Sequence, residues 1–130
     1  MKLLLDTHIW LWSLIDRGRL SNRVIKELED PQNELWLSPV STWELVVLCQ
    51  KGRLIVDRDI DLWIAHKLGT VRLKEAPITH LVALELARIR TQQRDPADRF
   101  LVATAKVFDL TLVTADERLL STPDISILAN

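Results

Sequence analysis

Short apolar runs that are too brief for helices alternate along this chain with segments of helical periodicity, and that alternation most constrains its fold. Leu3-Leu4-Leu5, Leu35-Trp36-Leu37, Val71–Leu73, Leu110–Val113 and Ile125–Leu128 read as short strands. The first two lack the polar alternation of a half-solvated strand, so they suit a sheet buried on both faces. Between them, Ser21 can cap a helix running to about Asp30, and Ser41 opens another through Lys51, with Gly52 as its stop. Asp59–Leu68 has helical spacing and ends at Gly69. Thr79–Arg90 ends in Arg88 and Arg90, which suit the negative pole of a helix. Asp95-Pro96 starts the next helix with proline at its favoured first position. Strand–helix alternation of this kind predicts an α/β fold, with a mostly parallel sheet of four to five strands flanked by helices on both faces.

With 130 residues, 48% of them apolar, the chain fits a single domain over 1–130 with a sizeable core. Trp10, Trp36, Trp43 and Trp63 fit core stripes, and the single cysteine, Cys49, reads as a small core residue. The N-terminal apolar stretch reaches an acid after three leucines, too short for a signal peptide or a membrane span, so a cytoplasmic location is expected. Net charge is −1, from 17 basic and 18 acidic side chains. This weighs against an architectural coat that binds nucleic acid by bulk charge, but not against an enzyme that grips a few phosphates near a metal.

In doubly wound sheets, sites form outside the carboxyl ends of the strands, where strand order reverses. Asp6 directly follows the first strand, and Asp116 follows the fourth through Thr114-Ala115. Glu44 and Asp98 lie in the first turns of the helices after the second strand and before the fourth. Each acid also has a capping reading. Ser41-Thr42-Trp43-Glu44 is a capping box, and Asp95-Pro96-Ala97-Asp98 reads the same way. Asp6 and Asp116 can cap the helices that follow them. Serine, threonine or asparagine would serve as well for capping, so four carboxylates at one rim exceed what capping requires. Pressed together they repel one another and raise each other's pKa. A hard divalent cation, Mg²⁺ or Mn²⁺, relieves that repulsion with oxygen ligands. Two such ions about 3.5–4 Å apart can activate water and steady the leaving oxygen of a phosphodiester.

Four segments then carry a resemblance over the whole chain: Leu3-Leu4-Leu5-Asp6-Thr7-His8 with Trp10-Leu11-Trp12; Leu37-Ser38-Pro39-Val40-Ser41-Thr42-Trp43-Glu44; Arg94-Asp95-Pro96-Ala97-Asp98-Arg99; and Leu112-Val113-Thr114-Ala115-Asp116-Glu117-Arg118. In this order and spacing the chain resembles a PIN-domain protein, specifically a VapC-type toxin of a toxin–antitoxin pair. The resemblance implies an RNA endonuclease using Mg²⁺ or Mn²⁺, with its metal-binding and catalytic acids at Asp6, Glu44, Asp98 and Asp116. It also implies a homodimer and a small VapB-type antitoxin that inserts a segment over the acidic site. In this reading Asp6 and Asp98 are the main ligands, while Glu44 and Asp116 complete the shell and orient the attacking water.

Around these, Thr7 and Thr114 either hydrogen-bond the carboxylates or satisfy nearby backbone. Asp95 reads as a cap before a ligand, and Arg99 either touches phosphate or pairs with Asp95. Arg17, Arg19 and Arg23 form either an RNA-contacting rim or a solvated face. The three histidines have no zinc spacing, although His8 follows the Asp6 strand end. Trp12 reads as a core or dimer contact, with base stacking as the alternative. A haloacid-dehalogenase-type site would want aspartate where His8 stands, and a receiver would want paired acids near its start. A catalytically silent PIN fold would lack one of the four acids, and a DNA nuclease would share all of them.

Overall fold

The computed structural model describes residues 1–90 and 95–130. Strands β1 (Lys2–Leu5), β2 (Glu34–Leu37), β3 (Leu73–Glu75), β4 (Thr111–Thr114) and β5 (Ser126–Ala129) form one sheet of order β3-β2-β1-β4-β5. All four pairings are parallel. The chain winds outward from β1 to β3, returns, and winds the other way through β4 and β5. Strand order therefore reverses beside β1, and the carboxyl ends of β1 and β4 flank the switch point.

Among the described residues there are six α-helices: α1 (Thr7–Ile15), α2 (Asn22–Glu29), α3 (Pro39–Gln50), α4 (Ile60–Thr70), α5 (His80–Glu85) and α6 (Pro96–Phe108). They cover both faces, as the strand pattern predicts. Leu3 and Leu5 point to one side, packing with Ile9, Trp10, Val24, Leu45 and Trp63 from α1 to α4. Leu4 and Leu112 point to the other, against Leu101, Val102 and Ala105 of α6. Successive residues of one strand thus feed two cores, which is why the run has no polar alternation. Each buried leucine contributes roughly 1.5–3 kcal/mol. No helix among the described residues is long and apolar enough to cross a membrane.

Several local expectations hold. Ser21 caps α2 by accepting from the Val24 amide at 3.1 Å, and Asp95 caps α6 from Ala97 at 2.9 Å. The structure adds a cap at Thr79, which accepts from the Val82 amide at 3.2 Å and starts α5. Others are corrected. The helix after β2 starts at Pro39, because its cap is Ser38, three residues before the capping-box Ser41, and Ser38 accepts from the Val40 amide at 3.1 Å. Ser38-Pro39 is itself a strong start signal. Ser41 and Leu45 then face the interior, four residues apart, and Trp43 turns outward and is 57% exposed, so it is no core residue. Cys49 is half-buried on the same helix. The helix from Thr79 stops at Glu85 because its last amides, from Leu86 and Ala87, bond three residues back and tighten into turns. Arg88 and Arg90 therefore do not complement a helix end, and Arg90 pairs with Asp124 at 2.9 Å instead. β3 lies two residues later than expected, at Leu73–Glu75. Arg94 lies outside the described residues.

Candidate active site

Outside the carboxyl ends of β1 and β4 lies a cleft of about 320 Å³. Asp6, Glu44, Asp98 and Asp116 all line it, joined by Asp95. The four predicted acids are thus brought together, although 110 positions separate the first from the last.

Asp6 is the most confined of them. It caps α1, accepting from the Thr7 amide at 2.7 Å through Oδ1, while Thr114 donates to Oδ2 at 2.7 Å. Burial raises its pKa above the ordinary carboxylate value, and these two hydrogen bonds oppose the rise. The Asp6 amide in turn donates to Val113 O at 3.0 Å, so β4 holds this residue through both backbone and side chain.

Glu44 sits in the second turn of α3. Its Oε1 accepts from the Thr7 hydroxyl, which also lies 2.9 Å from Ser41 Oγ. Thr7 has one hydroxyl proton. An ionised Glu44 must receive it, so Ser41 supplies the proton shared with the Thr7 oxygen. Burial again raises the pKa, and the Thr7 bond lowers it. Glu44 therefore caps nothing, because the helix begins too early for the capping-box geometry.

Asp98, in the first turn of α6, is 8% exposed. Burial and then the charges of Asp6, Asp95, Glu44 and Asp116 push its pKa up to about 7. Asp116 is the exception. Arg118 Nε and Nη2 donate to its two carboxylate oxygens at 3.1 and 2.9 Å, holding its pKa below the ordinary value.

Of the supporting residues, Thr7 and Thr114 both bond site carboxylates, and Thr114 also accepts from the Asp116 amide at 3.0 Å. Asp95 caps α6 and lines the cleft as well. Arg99 is directed elsewhere: its Nη2 donates to Leu86 O at 3.2 Å, not to Asp95. His8 and Trp12 form one lip, with ring centroids 5.7 Å apart and the Arg19 guanidinium 5.2 Å from the Trp12 ring. Arg118 was not foreseen. Its only sequence signal was a guanidinium two residues beyond a strand-end acid, close enough to reach back across a short turn.

Among the described residues, no group of three His, Cys, Asp or Glu side chains is gathered closely enough to hold an ion alone. The residues nevertheless fit a hard divalent cation. Among the described residues, five carboxylates and one guanidinium line the cleft, the carboxylates offer hard oxygen donors, and burial with the neighbouring carboxylates pushes the Asp98 pKa up to about 7. Mg²⁺ usually keeps several waters and binds through one or two carboxylates rather than a complete protein cage.

The PIN domain family model matches residues 3–125. Ribonuclease VapC22 of Mycobacterium tuberculosis is 32% identical over 119 residues, covering 91% of this chain and 89% of the relative. The fold is similar to VapBC2 from Rickettsia felis, solved bound to a DNA fragment from their promoter, with TM-score 0.74 and 18% identity over 99% of this chain and 98% of the other. It is also similar to a toxin–antitoxin complex from Klebsiella pneumoniae, with TM-score 0.62 and 20% identity over 98% and 96% of the two chains. The strand-end acids, the doubly wound sheet and these relatives agree: the chain belongs to the PIN domain family, among its VapC-type ribonucleases.

Proposed function

We propose that this chain is a divalent-metal-dependent endoribonuclease, the toxin of a type II toxin–antitoxin pair, that hydrolyses RNA phosphodiesters at the acidic cleft. The observation that carries this reading is the gathering of five carboxylates at the switch point, with Asp98 pushed up to about 7. Asp6 and Asp98 are the main ligands for Mg²⁺ or Mn²⁺, and Glu44 and Asp116 complete the shell. When bound, the cation supplies an activated water and a positive charge against the scissile phosphate.

The chain's own residues supply order. Thr114 and the Thr7 amide fix both oxygens of Asp6, and the Thr7 hydroxyl fixes Glu44. Such supporting bonds hold carboxylates in position before an ion arrives. Asp95 caps α6 and keeps Asp98 at the cleft. The expected partners are the RNA substrate, a VapB-type antitoxin covering the cleft, and a second copy of the chain. The toxin–antitoxin assemblies among the structural relatives support the antitoxin. The exposed Leu81 and Leu84 on α5 support the homodimer.

The test is incubation of the purified chain with total cellular RNA and Mg²⁺ or Mn²⁺, beside EDTA and Asp98→Asn controls. Metal-dependent cleavage that the variant loses is the expected result, and mapping the cut identifies the RNA. Absence of cleavage by folded protein with either ion would make the chain a binding module in which the acids do no chemistry.

A further inference from the structure

Arg118 is the full cation among the described residues that line the acidic cleft. Its guanidinium forks onto Asp116, with Nε on Oδ1 and Nη2 on Oδ2. That two-pronged geometry suits a carboxylate and a phosphate equally well. The side chain is 71% exposed and rises from a three-residue 3₁₀ turn, Glu117–Leu119, so packing does not lock it. Exposed ion pairs contribute little to stability and are readily exchanged. Asp98 and Asp95 also act on this guanidinium, so it neutralises part of the whole cleft.

We propose that Arg118 is an exchangeable cation: it occupies Asp116 in the metal-free chain, yields that carboxylate to an incoming divalent ion, and then grips a non-bridging oxygen of the RNA phosphodiester. The inference rests on the reading of the acids as a metal site given above. Two things follow from the geometry. While Arg118 is forked on Asp116 it competes with the ion for the same oxygens. Once displaced, it remains on the same short turn beside the cleft, placed to meet a phosphate that enters it. A guanidinium that merely tied down the turn would do neither.

The experiment uses the full chain and Mn²⁺ as the probe. Calorimetric titration without RNA compares wild type, Arg118→Ala and Arg118→Lys, and cleavage is then measured at saturating Mn²⁺. Arg118→Ala is expected to bind Mn²⁺ about 2- to 5-fold more tightly, the range in which exposed ion pairs act. It is also expected to lose roughly tenfold or more in kcat/KM, as befits removal of a charged hydrogen bond. Arg118→Lys keeps the charge without the fork, so it should bind Mn²⁺ close to wild type and still cleave more slowly. Opposite signs for ion affinity and cleavage identify the exchange, because a loosened turn would weaken both. Unchanged Mn²⁺ affinity in Arg118→Ala, with wild type binding normally, overturns this inference alone. Undiminished cleavage by Arg118→Ala removes the phosphate grip. Failure of wild type to bind Mn²⁺ at all overturns the metal site and the exchange with it.

Discussion

The Thr114 hydroxyl donates to Asp6 Oδ2 at 2.7 Å, joining residues 108 positions apart across the seam between β1 and β4. The parallel register that sets Leu5 opposite Val113 brings the two strand ends level, and each contributes one partner. Thr114 is fully buried and also accepts from the Asp116 amide, so one side chain ties together the acids that follow both strands.

Thr114→Val keeps the shape and removes the hydroxyl. Leaving Asp6 short of a donor is expected to cost about 1–3 kcal/mol, read by urea denaturation. Supporting bonds of this kind are worth about 10- to 100-fold in metal affinity or activity. Mn²⁺ affinity should therefore fall within that range. Wild-type affinity in this variant would show that Thr114 only satisfies backbone.

Stability of the metal-free chain should fall as pH rises from about 4 through about 7. Burial raises the pKa of Asp98 to about 7, and those of Asp6 and Glu44 rise as well. The fold thus holds protons that the unfolded chain has already released, and their stabilisation disappears as these groups ionise. Asp116, lowered by Arg118, opposes this only below the ordinary carboxylate range. Melting temperatures over pH 4–8 check the trend. Asp98→Asn should flatten it, and saturating Mn²⁺ should reverse it by favouring the ionised acids.

Ser38→Ala and Ser41→Ala separate the two possible starts of α3. Ser38 caps the helix, so its loss should cost about 1 kcal/mol of stability. Ser41 is buried against Thr7, which holds Glu44. Its substitution should slow RNA cleavage, whereas Ser38→Ala should leave cleavage close to wild type. The reverse pattern would restore Ser41 as the cap.

Trp12 stands at the lip of the cleft with Arg19 over its ring. Trp12→Ala should raise KM for RNA with little change in kcat, since base–aromatic stacking contributes about 1–3 kcal/mol. Equal loss in kcat and kcat/KM would place its effect in the chemical step instead.

Much of this arrangement is legible locally. The caps at Ser21 and Asp95 depend on a side chain and an amide two or three residues away, so the local sequence predicts them and the structure shows them. Leu3-Leu4-Leu5 lacks polar alternation because both faces of β1 are covered. The start of α3 is ambiguous locally, because two start signals, Ser38-Pro39 and Ser41, lie three residues apart. Packing chose the earlier one, which buried Ser41 and turned Trp43 outward.

By itself, the sequence determined the alternation of strands and helices, the parallel sheet and the placement of Asp6 and Asp116 at strand ends, because propensity, capping and hydrophobic period act over a few residues. The tertiary structure decided that Glu44 answers Thr7 rather than a helix cap, that Arg118 and His8 join the cleft, and that Asp98 resists ionising. Those outcomes depend on strand order and side-chain burial. Carboxylates far apart along the chain repel one another only once the sheet has brought them to one rim.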